Sequence, residues 1–280
     1  MVGAFGVFVL AAVAARKWQL RWGADPREVT AELAGDDLVT EPDLVATRAI
    51  TISAPASQVW PWLARLGQAR GGFYSYDAWE NLVGCEIHSA DRVVAEWQHV
   101  EVGDEVKLHP DVSMAVAGLD EGRALVLRGA VPMGNAAAPY DCTWAFVLRD
   151  RPDGSTRPVM RERYGYTRRW AGLLIEPVEA VGFVMSRKML MGVRDRAEAG
   201  CASNVAAQRD ETTRTEVVLP GSPAVALLGD RIRRGWRVSG IGLAVAALGV
   251  TALVVRDAHA RGDARQPGRR SRVPLPGGTA

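Results

Sequence analysis

Between Gly103 and Tyr166 the chain runs in short segments of period-two character set off by turn residues, and no other feature narrows the fold as much. Glu105 to His109 follows Gly103-Asp104, Val112 to Ala117 follows Pro110-Asp111, and Ala124 to Arg128 follows Glu121-Gly122. Successive side chains of a strand point to opposite faces, so such runs at spacings of roughly ten residues predict an antiparallel meander. Gly129 to Pro139 is rich in Gly, Pro and Ala and reads as a long loop. Beyond it Cys142, Trp144, Phe146 and Leu148 alternate with Thr143, Ala145, Val147 and Arg149. Pro152-Asp153-Gly154 is a hairpin signal, and Arg157 to Tyr166 returns as the last strand.

The period then changes. Leu174, Val178, Val181, Met185, Met189 and Gly192 fall three or four apart, which makes Arg168 to Ala199 a long amphipathic helix that Gly200 is expected to end. Upstream, Ala46 to Ala54 reads as a strand closed by Pro55, and Ser57 is placed to cap a helix from Val59 to Leu66, with Pro61 in its first turns. Arg92 to Gln98 is expected as one more short strand. The fold class is therefore α+β, an antiparallel sheet followed by a long C-terminal helix.

The two ends differ from this middle. Met1 to Ala15 carries no charge and stops at Arg16-Lys17-Trp18. As a helix it reaches about 22 Å, short of the roughly 30 Å hydrocarbon core, so residues 1–22 read as a short or tilted anchor with Trp18 and Trp22 at the interface. Ala12-Val13-Ala14 resembles a signal-peptide cleavage site, but the basic n-region is missing. Residues 23–45 read as a linker with one short helix, 46–199 as the domain, and 200–230 as a second linker. Val238 to Val255 is uncharged and flanked by Arg237 and Arg256, long enough as a helix, about 27 Å, to span with slight adjustment. A membrane helix is expected within 231–256, followed by a disordered basic tail, 257–280. Bases on the domain side of both apolar runs predict a cytoplasmic domain at the cell membrane.

Composition excludes more than it selects. A net charge of +2 from 34 basic and 32 acidic residues offers no nucleic-acid field. Three cysteines give neither metal spacing nor a disulfide framework, and Cys85-Glu86-Ile87-His88 lacks further ligands. There is no phosphate loop and no nucleophile elbow. No metal and no cofactor are expected.

Candidate binding residues concentrate in Gly71 to Asp91, where aromatics mix with acids: Tyr74, Tyr76, Asp77 and Glu80, with Trp97 just beyond. Phe73, Tyr76 and Trp79 also fall near helical spacing, so ordinary core is the competing reading. Asp77 and Glu80 lie three apart, on one helical face, and are the candidates for acid/base chemistry. Trp144 and Phe146 share a strand face with Cys142, and Met185 and Met189 would meet them from the helix. In Arg161-Glu162-Arg163-Tyr164, alternation turns either the arginines or Glu162 and Tyr164 toward the concave face. A buried Arg161 needs a carboxylate, for which Asp77 and Glu80 are candidates.

Strand, two helices, antiparallel strands and one long C-terminal helix resembles the START-like (helix-grip) superfamily of polyketide cyclases, pathogenesis allergens and lipid-transfer domains. The resemblance covers roughly Val45 to Ala199. It is carried by Ile50-Thr51-Ile52-Ser53-Ala54-Pro55 leading into Val59-Trp60-Pro61-Trp62-Leu63, by Thr143-Trp144-Ala145-Phe146, and by the Met-rich helix Phe183 to Val193. Gly71 to Asp91 looks like an uncharacterised bacterial branch. The resemblance implies a sheet gripping the helix over a cavity for apolar ligands such as lipids, sterols, polyketides or quinones. It supplies no universal catalytic residue. The expectation is a membrane-anchored protein binding a hydrophobic small molecule or lipid; a cyclase or dehydratase, and a structural protein with a filled core, are the alternatives.

Overall fold

The computed structural model describes residues 2–82, 85, 87–130 and 137–216. The membrane helix expected within 231–256 and the basic tail lie outside the described residues. Six strands form one antiparallel sheet: β1 (Leu44–Ala49), β2 (Glu105–His109), β3 (Val112–Asp120), β4 (Ala124–Gly129), β5 (Tyr140–Asp150) and β6 (Thr156–Tyr166), in the order β1-β6-β5-β4-β3-β2. The β5–β6 ladder runs unbroken from Tyr140 opposite Tyr166 to Asp150 opposite Thr156. Its hairpin closes where Asp153 accepts the Ser155 amide at 3.0 Å and the Ser155 hydroxyl at 2.5 Å. β1 sits at the far edge and pairs with β6, not with its neighbour in sequence.

Arg92 to Gln98 is not a strand. It holds a 3-10 turn, Ala95–Trp97, because side chains take the carbonyls that a ladder would use. Arg65 donates to the Arg92 carbonyl, and Arg70 to those of Trp97 and His99 at 2.9 Å each.

Among the described residues five α-helices accompany the sheet: α1 (Val2–Leu20), α2 (Pro26–Thr30), α3 (Ala56–Leu63), α4 (Asp77–Leu82) and α5 (Ala171–Glu216). α2 starts where its sequence says it must, with Asp25 and Glu28 forming a capping box around Pro26. Gly200 does not end α5. The helix continues to Glu216, 46 residues or about 69 Å, because one interior glycine costs only about 1 kcal/mol. No helix among the described residues is long and apolar enough to cross a membrane, α1 included.

The main core fills the space between the sheet's concave face, α3 and α5: Ile52, Leu63, Leu66, Phe146, Met160, Met189 and Val193 are all nearly inaccessible. At Gly192 of α5 an added Cβ would stand 2.4 Å from the Tyr74 carbonyl oxygen, so glycine is what lets the aromatic stretch lie against the helix. The outer face of the sheet is covered by residues 23–43. Leu33 packs there on Ala49 and Val159, and Arg157 holds the Glu28 carboxylate with bonds of 2.7 and 2.8 Å.

Candidate functional site

Strand alternation sends Glu162 and Tyr164 of β6 to the concave face and Arg161 and Arg163 to the outer one, as their partners show. Arg161 is 2% exposed, and its guanidinium is saturated by Thr47 Oγ1, Asp36 and the carbonyls of Glu28, Val29 and Ala31. Its carboxylate is Asp36, at 2.5 Å, and neither Asp77 nor Glu80. Arg161 and Arg163 border an outer-face groove of about 430 Å³, but with every donor of Arg161 used this groove reads as a seam between sheet and covering segment.

On the concave face, the end of the sheet where β4 and β6 finish and β5 begins holds a smaller, half-open cavity of about 170 Å³. Its walls are Leu108, Val112 and Met114 from the β2–β3 hairpin, Tyr140, Cys142 and Trp144 from β5, and Glu162 and Tyr164 from β6, with Gly129 and Ala130 at the rim. A missing side chain at Gly129 keeps the strands close there, for a Cβ would meet Met114 at 3.2 Å. Phe73 lies 6.3 Å from Trp144, and Tyr140 lies 6.1 Å from Tyr164, ring centre to ring centre. The Trp144 indole N–H is buried and has no acceptor. An unmet buried donor costs about 1–3 kcal/mol, which is a reason to look for what it meets in use.

The acidic wall of this cavity is held from behind. Arg48 of β1, fully buried, donates at 2.7 Å to Glu162 and also to Glu179 of α5. Glu179 in turn accepts from Arg16 and, at 2.9 Å, from Gln19 of α1, while Arg48 stacks over the Phe183 ring at 5.2 Å. Arg48 thus faces two buried carboxylates, Glu162 and Glu179, and Arg16 shares the second of them. Burial pushes the Glu162 carboxyl above its ordinary range, and the Arg48 charge opposes that rise. Burial also raises the Cys142 thiol and the Tyr164 phenol, with the Glu162 charge adding to both, so each stays protonated at neutral pH.

The sequence candidates fall into two groups. Trp144 and Tyr164 line the cavity. Phe146 is core at 1% exposure, 4.9 Å from the Trp144 ring, and Met189 is core at 2%, whereas Met185 is half-buried; none of the three is a wall. The aromatic stretch is a self-contained clasp. Tyr74, at a left-handed φ of 55°, donates its amide to Ser89 at 2.9 Å and accepts from Arg65 at 2.8 Å. Asp77 accepts from the Ser89 amide at 2.7 Å and from its hydroxyl at 2.6 Å. Ser75 bonds Glu80, whose carboxyl burial raises above its ordinary range. Tyr76 stacks on Trp79 at 4.4 Å, and the Trp97 carbonyl is taken by Arg70. Sequence reasoning missed Arg48 and Glu179. The available signal for Arg48 was a lone arginine inside an otherwise apolar strand. Among the described residues no group of acids, histidines and cysteines is placed to hold a metal.

No family model matches the chain, and no curated protein matches it. Among solved structures it is similar to the hypothetical protein jhp0584 of Helicobacter pylori, at 11% identity over 60% of this chain and 96% of that one, with a TM-score of 0.39. It is also similar to CalU16 of Micromonospora echinospora, at 15% identity over 56% and 86% of the two chains and a TM-score of 0.28. A third is DynU16, from the dynemicin biosynthetic locus, at 14% identity over 54% and 47%, with a TM-score of 0.31. At such scores the likenesses decide nothing about function, and the helix-grip description rests on the sheet order and the seat of α5.

Proposed function

We propose that this helix-grip protein binds a small apolar molecule bearing one hydrogen-bond acceptor, in association with a membrane. The observation that carries the reading is the buried, unpaired Trp144 N–H at the wall of a cavity whose other lining includes Met114, Cys142 and the rings of Tyr140 and Tyr164. Ligand sites are apolar enclosures with a few convergent polar groups, and this one has Trp144, Tyr164 and Glu162. Its volume of about 170 Å³ limits the guest. A cavity of about 150 Å³ takes benzene, so the occupant is a single ring or the end of a longer chain, not a whole lipid. The membrane part is supported by α1, whose side chains from Leu10 to Ala15 are all exposed although none is charged.

A carboxyl raised by burial beside two protonated hydroxyl and thiol groups is also how acid catalysts are built, which keeps a cyclase or dehydratase as the second reading, with Glu162 as its acid.

The test is native mass spectrometry of the full chain in mild detergent, with extraction of any adduct, followed by titration with phenol and small substituted phenols. The full chain is needed because Arg16, Gln19 and Asp36 contribute to the buried contacts. Binding that weakens about tenfold in Trp144→Phe, the equivalent of roughly 1.4 kcal/mol, supports the reading. No adduct, together with no probe binding or binding indifferent to Trp144→Phe, would sink it.

A further inference from the structure

The Arg48 set ties two helices that are far apart in sequence. α1 and α5 lie side by side: Arg16 meets Glu176 at 2.6 Å, Gln19 meets Glu179 at 2.9 Å, and the Trp18 ring stands 5.5 Å from Phe183. The first two pairs share a separation of 160 residues. Carried toward the N-terminus, that separation brings Leu10 level with Trp170 and Val13 level with Leu173. All four are exposed, at 71%, 48%, 49% and 84%. Beside them stand Arg168 and Arg169, exposed and without a carboxylate partner among the described residues. This tip is also the cavity's end of the sheet, because the Thr167 and Arg168 amides both donate to the Pro139 carbonyl, at 2.9 and 3.2 Å, next to the wall residue Tyr140.

We propose that this tip, formed by Leu10 and Val13 of α1 with Arg168, Arg169, Trp170 and Leu173, docks on an anionic bilayer surface and turns the cavity's end of the domain toward the lipid. The inference rests on the membrane reading above and adds its orientation and headgroup preference. Water is a poor solvent for an uncharged helix exposed on every side, and lipid covers it. A tryptophan among arginines at the edge of an apolar patch is the composition of a membrane interface. Paired exposed arginines attract anionic headgroups, each worth a several-fold gain in binding near the surface. The opposite end of the sheet, at the Asp153 hairpin, has no such patch: the Asp153 side chain is 62% exposed and Arg151 stands beside it.

The test uses the full chain in lipid nanodiscs, with Cys201→Ser as background and an environment-sensitive fluorophore on Trp170→Cys or, as the control, Asp153→Cys. Cys85 and Cys142 are buried and stay unlabelled. Discs are phosphatidylcholine with or without phosphatidylglycerol, and a doxyl-labelled lipid serves as quencher. The expected result is a blue-shifted, lipid-quenched label at 170, more strongly so with phosphatidylglycerol, and a water-like label at 153; Arg168→Glu with Arg169→Glu removes the phosphatidylglycerol dependence. Water-like emission at both positions overturns the proposal. So does quenching at 170 equal in neutral and anionic discs, or shielding that follows the number of chains per disc, which assigns the patch to a second copy. Occupancy of the cavity is read independently by mass spectrometry, so either reading can fail alone.

Discussion

Replacing Arg48 by methionine removes one buried charge and leaves two. Glu162 keeps only 10% of its side chain exposed and Glu179 none, so neither carboxylate can turn to water. Methionine is apolar and similar in length, so the loss is chiefly that of the partner. Removing one member of a buried pair costs about 3–5 kcal/mol, which for a body of this size lowers the melting temperature by about 6–20 °C. Thermal denaturation followed by far-ultraviolet circular dichroism measures it. The loss also depends on pH in a definite direction. The Glu162 carboxyl titrates above its ordinary 4.5 in the folded protein, so the stability it contributes is complete below that value and is lost as pH rises through the folded one. Arg48 opposes this loss, and without it the loss deepens. The gap between wild type and Arg48→Met should therefore be smallest near pH 4 and widen toward pH 7. Adding Glu162→Gln and Glu179→Gln to Arg48→Met should recover much of the deficit. A deficit under about 1 kcal/mol, or one flat with pH, would mean that water reaches these charges and that the burial argument is wrong.

Three further outcomes are expected. Gly192→Ala forces a Cβ to 2.4 Å from a backbone oxygen and should cost at least about 2 kcal/mol by chemical denaturation, whereas Gly182→Ala, with open space around it, should be neutral or gain up to about 1 kcal/mol. Arg161→Ala should cost about 3–5 kcal/mol by uncovering Asp36 and three carbonyls, while Arg149→Ala stays within about 0.5 kcal/mol; equal effects would refute the seam assignment. Of the three thiols, burial and then the Glu80 charge push Cys85 up to about 11, and Cys142 is raised too, so at pH 8 a thiol reagent should label Cys201 quickly and the other two only after denaturation.

Alternation and turn residues made β2 to β6 legible, because turn residues separate β2 from β3, β3 from β4 and β5 from β6, and Cys142, Trp144, Phe146 and Leu148 alternate along β5. Helix α5 was legible in type and not in length: the apolar period stops near Ala199, while the helix runs on to Glu216. The site was legible in half. Trp144 and Tyr164 stand out as aromatics on the strand face that alternation also gives to Cys142 and Glu162. Arg161 was misplaced because its partner, Asp36, belongs to a polar stretch with no periodicity, and pairing across the outer face leaves no local pattern. Arg48 escaped for the same reason: its partners are 114 and 131 residues away, and charge complementarity at that range is invisible without the fold.

Those separations also set an order of events during synthesis. β1 cannot pair until β6 exists, and Arg16 finds Glu179 only after 163 more residues have been made, which at roughly 5–20 residues per second takes about 8–30 s. For that interval the apolar part of α1 is outside the ribosome with no dock of its own chain to close on. Whatever captures nascent apolar helices therefore meets α1 before the sheet, α5 and the cavity exist to compete for it.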